Sequence, residues 1–220
     1  MGTLFLLGAG AALASLVAVR LRARAALRDA RTRLRAAPRV ALGDLGTRRA
    51  RVEGHAVRAG SVIAPASGRP VAAWRVEVDE EIGGAWHLLG AVQSRAPFVL
   101  AADGVRAEVH GPFELLLTAE RSFELDGRQR PRDEALRALS ESVALPVVDG
   151  RGLPRRLRFR ERVLSAGDPV FIVGVAGPSP TPTGAYYREI APTRSVVGTR
   201  RAPVLVCADP ETLRPSIGPA

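Results

Sequence analysis

"RRLRFRERVLSAGDPVFIVGVAG", residues 155–177, carries two apolar rhythms in one run. In its first half Leu157, Phe159 and Glu161 alternate with Arg158, Arg160 and Arg162. That period of two is the mark of a half-buried strand, because successive side chains of an extended chain point to opposite faces. Gly167–Asp168 then reads as a turn, and "PVFIVGVA" follows without a polar break, as a fully buried strand does. Two strands joined by a turn place the chain among sheet proteins.

The rest of the body agrees. "ARVEGHAV" (50–57), "VAAWRVEVDE" (71–80), "AWHLLGAV" (85–92), "PFVLAADGVRAEVH" (97–110) and "FELLLTAERSFELDG" (113–127) continue the alternation. Asp-Gly at 103–104 and 126–127 is the strongest short hairpin signal. "AYYREI", "SVVG" and "PVLVCA" supply further strands after the loop "PSPTPTG". A single helix interrupts near 132–142: Pro131 suits a first turn, Asp133 and Glu134 lie near its positive end, and Ala135, Leu136, Leu139 and Val143 share one side. The expected fold is mainly β, of α+β type, a barrel or sandwich-like domain of some ten short strands with one inserted helix.

The N-terminal segment differs in kind. Residues 1–19, "MGTLFLLGAGAALASLVAV", hold no charge. At 1.5 Å per residue such a helix spans roughly 30 Å, the thickness of a bilayer's hydrocarbon core. No basic residue precedes the run and arginines follow it at once, which is the order of an uncleaved anchor rather than of a secretory signal. Positive charge next to a span stays on the cytoplasmic side. The expectation is a single-pass inner-membrane protein with its N-terminus outside and its domain in the cytoplasm.

The chain's formal charge is +10, and eleven arginines between Arg20 and Arg51 face only Asp29 and Asp44. The body beyond is nearly neutral, which argues against a nucleic-acid partner. Arg20, Arg22, Arg24 and Arg28 are read as lipid-facing, on a basic helix without a clean apolar face that ends before Pro38. Residues 38–48 read as a linker, 48–206 as the domain and 207–220 as a tail.

Catalytic chemistry is thinly represented. There is no lysine, so Schiff bases and a P-loop lysine are excluded. The lone Cys207 rules out an intrachain disulfide and reads as a buried structural residue. His55, His87 and His110 lack metal-ligand spacing, and no G-x-S-x-G elbow occurs. No catalytic, cofactor-binding or metal site, and no cofactor, is assigned. Three function classes remain: a protein-interaction module, a hydrolase using convergent His and Asp or Glu, and a sensor of anionic lipid or ligand built on Arg155, Arg156, Arg158, Arg160 and Arg162.

The order of segments resembles the GIDE, or beside-a-membrane, domain family of MULAN-like mitochondrial ubiquitin ligases and of many bacterial proteins. The residues that carry the likeness are Glu53 and Gly54 in "ARVEGHAV", Trp86 in "GAWHLL", and Pro97, Phe98, Asp103 and Gly104 in "PFVLAADGV". Glu161, Gly167, Asp168 and Gly174 in "RERVLSAGDPVFIVGVAG" form its most specific block. The resemblance implies a membrane-adjacent interaction domain with the lipid bilayer and an unknown protein as partners. Eukaryotic members add a RING finger, which needs about eight zinc ligands at set spacings. One cysteine cannot supply them, so ubiquitin ligase activity is not carried over.

Overall fold

The computed structural model describes residues 28–57, 62–116, 120–126, 139, 155–178 and 194–209. Within them the chain is built from eleven strands in two sheets. Strands β1 (Ala50–Val57), β4 (Phe98–Ala102), β5 (Val105–Val109), β9 (Pro169–Ala176) and β10 (Arg194–Val197) hydrogen-bond in a ring that β1–β9 pairing closes. Strands β6 (Phe113–Leu116) and β11 (Val204–Cys207) prolong β5 and β10, and β11 also pairs with β9. The expected β-rich domain is therefore a small closed barrel. Strands β2 (Ala73–Ile82), β3 (Ala85–Gln93), β7 (Glu120–Asp126) and β8 (Arg156–Leu164) form a separate antiparallel sheet in the order β3-β2-β8-β7.

Alternation fixes the barrel interior. On β1, Ala50, Val52 and Ala56 point inward and are buried, while Arg51, Glu53 and His55 point outward. They meet Phe98, Leu100, Val109, Phe113, Ile172, Val196 and Val206 in one core. Gly54 interrupts the inward row for a steric reason. A Cβ there would lie 2.5 Å from the Ala101 carbonyl oxygen of the adjoining strand.

Continuous runs need a second cover, since a strand buried on both faces has no polar side. Residues 28–36 are helical and supply it. Ala30 and Leu34, one helical turn apart, are fully buried against Val173, Leu205 and Cys207 on the outer face of β9 and β11. Arg33 binds Glu114 at 3.0 Å, and Arg31 lies 3.8 Å from Asp209. The basic helix was expected to lack an apolar face. Over 28–36 it has one, narrow because it rests on Ala30 and Leu34 alone. The segment read as a linker also joins the core, through a 3-10 turn (Leu42–Asp44) with Leu42 and Leu45 buried. Cys207, placed at the start of a tail, is a buried residue of β11.

Two hairpins have glycine-dependent turns. Asp103 (φ 49°) and Gly104 (φ 76°) join β4 to β5 as the Asp-Gly signal requires. Gly83 and Gly84 (φ 60° and 78°) join β2 to β3 in the same way. The expected helix near 132–142 lies outside the described residues except for Leu139, which is helical and buried. Gly127 of the turn expected at 126–127, the strand "AYYREI" and the segment 1–19 also lie outside them. No helix among the described residues is long and apolar enough to cross a membrane.

Candidate functional site

Three places on the four-stranded sheet are candidates for function: two with buried carboxylates and one apolar edge. The first is the face made by β2 and β8, whose pairing sets Glu77 opposite Arg160 and Asp79 opposite Arg158. Asp79 is nearly inaccessible, with 3 % of its side chain exposed. Arg160 donates to it from Nε at 2.7 Å and from Nη2 at 3.0 Å, and Arg158 donates at 2.9 Å. Burial alone pushes the Asp79 pKa upward; the hydrogen bonds and charges of Arg160 and Arg158 outweigh it and hold the carboxyl below its ordinary value.

The neighbouring arginines are engaged as well. Arg162 reaches Glu77 at 3.5 Å, Arg155 reaches Glu80 at 3.4 Å, and Arg156 pairs with Glu81 and Glu124. Arg158 also stacks on Trp86, 4.6 Å from the ring centroid. The five arginines considered as an anion sensor are thus each matched to a carboxylate across the sheet. The sequence shows the arginines of β8 as one strand, and only the β2–β8 register reveals their partners.

The second place is Glu161, on the opposite face and 1 % exposed. Its Oε1 accepts from the Ala66 N–H at 2.7 Å and from the Ser67 N–H at 3.3 Å. It closes the 64–68 turn beside Val76, Phe159 and Leu139. Its Oε2 and the Ser67 hydroxyl are buried without a hydrogen-bond partner.

The third place is the free edge of β3. Among the described residues this strand pairs only with β2, and its sequence, AWHLLGAVQ, contains no charged residue. Exposed sheet edges are ordinarily blunted by charge, proline or shortness. The opposite edge, β7, reads ERSFELD. On β3 the one irregularity is a bulge, where Leu89 is the extra residue between the Val78–Gly90 and Asp79–Leu88 pairs. Leu89 and Ile82 of the same hairpin are exposed, at 37 % and 53 %.

At the C-terminal end of β3 lies a cavity of about 750 Å³ whose lining includes Gln93, Arg95, His110, Pro112, Phe113 and Arg200. Gln93 donates from Nε2 to the Phe113 carbonyl at 2.6 Å and joins the edge strand to the barrel. His110 lies 3.3 Å from Glu108. Sequence reasoning missed this cavity, since Arg95, His110 and Arg200 are far apart in the chain and no spacing rule connects them.

The family-like residues mostly shape the fold. Glu53 pairs with Arg39 at 2.8 Å, Phe98 packs on Phe113, and a Cβ on Gly174 would meet Val196 at 2.5 Å. Gly167 (φ 89°) allows the turn into β9, where the Asp168 Oδ2 accepts from the Ser165 N–H at 2.7 Å. Pro97 directly precedes β4. The three histidines stay apart: His55 on β1, His87 on β3 and His110 just after β5. Among the described residues no three His, Cys, Asp or Glu side chains gather at metal-ligand distances. Arg28 is exposed, whereas Arg20, Arg22 and Arg24 lie outside the described residues. Comparison with protein-family models, with curated protein sequences and with solved structures finds no match to this chain.

Proposed function

We propose that this chain is a single-pass membrane protein of the GIDE-like type whose β-domain captures another protein beside the membrane and has no ubiquitin ligase activity of its own. The observation that carries the reading is the edge of β3, nine residues long, uncharged and exposing Leu89. A partner strand can add there through main-chain hydrogen bonds, with side-chain pockets supplying selectivity. The apolar run 1–19 and the arginines after it support the anchor and the inward orientation of the domain. The docked helix at 28–36 supports a position close to the bilayer, because only residues 20–27 separate it from the run.

Photo-crosslinking in cells tests the reading. A crosslinking amino acid at Leu89 of the full-length protein should give a discrete protein adduct in the membrane fraction. The same residue at Glu124, exposed on the opposite edge strand, should not. Equal adducts from both positions, or none from Leu89, would refute an edge-docking module.

A further inference from the structure

We infer that the cavity at the end of β3 receives the C-terminal carboxylate of an extended partner segment, paired parallel to β3 and held by Arg95 and Arg200. The inference rests on the reading of β3 as a docking edge and adds the chemistry of what docks.

Consecutive residues Ala91, Val92 and Gln93 all line the cavity. Side chains of successive strand residues point to opposite faces. A cavity that touches three in a row therefore lies along the strand's edge rather than under one face. One edge of β3 is taken by β2, in the register Glu77–Ala91, Val76–Val92 and Arg75–Gln93. The cavity opens along the other edge, which no strand among the described residues occupies. Gly90–Gln93, beyond the bulge, gives it a regular extended stretch for about four residues of a partner.

Charge fixes the direction. Arg95 and Arg200 are exposed at the cavity and have neither a hydrogen-bond nor an ion-pair partner among the described residues. The five arginines of the β8 region, by contrast, are all matched. No acidic residue lines the cavity among the described residues. β3 runs toward Arg95, so a segment parallel to it ends at the Arg95 end of the cavity, which Arg200 also lines. A carboxylate is the negative group every chain carries at that end, and the planar guanidinium can bind it bidentately.

The walls are held in place. The Ser94 N–H donates to the Trp74 carbonyl at 2.9 Å, and the Ser94 Oγ accepts from the Trp74 N–H at 3.2 Å, just before Arg95. Arg200 sits in a turn closed by Thr199 and Ala202, whose two backbone bonds measure 2.9 and 3.1 Å. Arg49 binds the Ala202 and Pro203 carbonyls at 2.9 and 2.5 Å and fixes that turn to the barrel. Both cationic residues therefore project from backbone that is set before a ligand arrives. Pro112 and Phe113 give an apolar wall for the last side chain of the segment.

The test uses the full-length protein in nanodiscs and an array of synthetic heptapeptides varied at their last four positions, each made as the free acid and as the C-terminal amide. Apolar-ended free acids should bind and their amides should bind about tenfold more weakly or worse, the effect of losing a charge-assisted pair. Arg95→Ala with Arg200→Ala should remove the preference without moving the thermal midpoint, since both side chains are exposed. Amide nitrogen shifts on binding should map to Ala91–Gln93. Acids and amides binding equally would overturn carboxylate capture while leaving the docking edge standing. Acetate or inorganic phosphate matching the peptides in affinity would mark a small-anion pocket and overturn the peptide reading. No binding by any peptide would sink the inference, and the Leu89 crosslink then decides the docking edge separately.

Discussion

Arg160 reaches from β8 to the neighbouring strand β2 to hold Asp79 by two hydrogen bonds, at 2.7 and 3.0 Å, and Arg158 completes the cage from the same strand as Arg160. The carboxylate is buried and the arginines are about a quarter exposed. Deleting the central charge leaves two desolvated guanidinium groups facing each other, whereas a surface pair could be lost with little effect. Asp79→Asn should lower unfolding stability by about 2–3 kcal/mol.

The pH dependence follows from the sign of the shift. The folded-state Asp79 pKa lies below its ordinary 3.8. Its contribution is therefore fully present above that value and disappears as pH falls through the lower folded-state pKa. Urea midpoints of wild type and Asp79→Asn should differ at pH 7 and converge in strong acid. A gap that persists unchanged below pH 3 would contradict the linkage.

Glu161 separates the role of a hydrogen bond from that of a charge. Glu161→Gln keeps an acceptor for the Ala66 and Ser67 N–H groups and should change stability by less than about 1 kcal/mol. Glu161→Leu leaves both donors without an acceptor in a buried turn, at a cost of about 2 kcal/mol. Denaturant unfolding of the two variants reads the difference. Equal losses would mean that the charge, rather than the acceptor, matters there.

Strands were legible in the sequence where one face is wet. The limits of "ARVEGHAV" coincide with β1 because Arg51, Glu53 and His55 alternate with buried Ala50, Val52 and Ala56. "PVFIVGVA" coincides with β9 for the opposite reason, being covered on both sides. What covers it was not legible. Only Ala30 and Leu34 dock the helix over 28–36, and among so many arginines they leave no apolar stripe to read. Ring closure and the β2–β8 register depend on contacts remote in sequence, so the matching of Arg158 and Arg160 to Asp79 stayed hidden. The Gly83–Gly84 hairpin could have been read directly, since paired glycines suit a two-residue turn.

The two close-approach glycines should respond unequally. At Gly54 an added Cβ meets backbone, the Ala101 oxygen at 2.5 Å, and β1 and β4 must part to admit it. At Gly174 the nearest atom is a Val196 side-chain methyl at 2.5 Å, and the nearest backbone atom, the Val197 oxygen, lies further off at 3.3 Å. Gly54→Ala should lose about 2–3 kcal/mol and Gly174→Ala about 1 kcal/mol. Matched thermal melts provide the check, and a reversed order would mean that the ring closes more tightly at β9 than at β1.

Leu34 joins the helix to the barrel. It is fully buried against Val173, Leu205 and Cys207, so Leu34→Ala should cost about 2–3 kcal/mol through the cavity it leaves. Released from the barrel, the helix should also become sensitive to trypsin at Arg31, Arg33 and Arg35. Cleavage there at the wild-type rate would show that Arg33–Glu114 and Arg31–Asp209 suffice to hold it.

The orientation of the domain can be read with a single introduced thiol. Cys207 is fully buried and should stay silent toward a membrane-impermeant maleimide, so no background cysteine has to be removed. Leu89→Cys places a thiol on the exposed edge of β3. If the arginines after Val19 keep the domain in the cytoplasm, intact spheroplasts should leave Leu89→Cys unlabelled and lysed ones should label it fully. Charge bias acts through the residues nearest the span, so Arg20, Arg22, Arg24 and Arg28 should dominate. Replacing these four with Gln and adding arginines after Met1 should expose a labelled fraction in intact spheroplasts. Labelling of the Leu89→Cys protein before lysis, with the four arginines in place, would put the domain on the other side of the membrane.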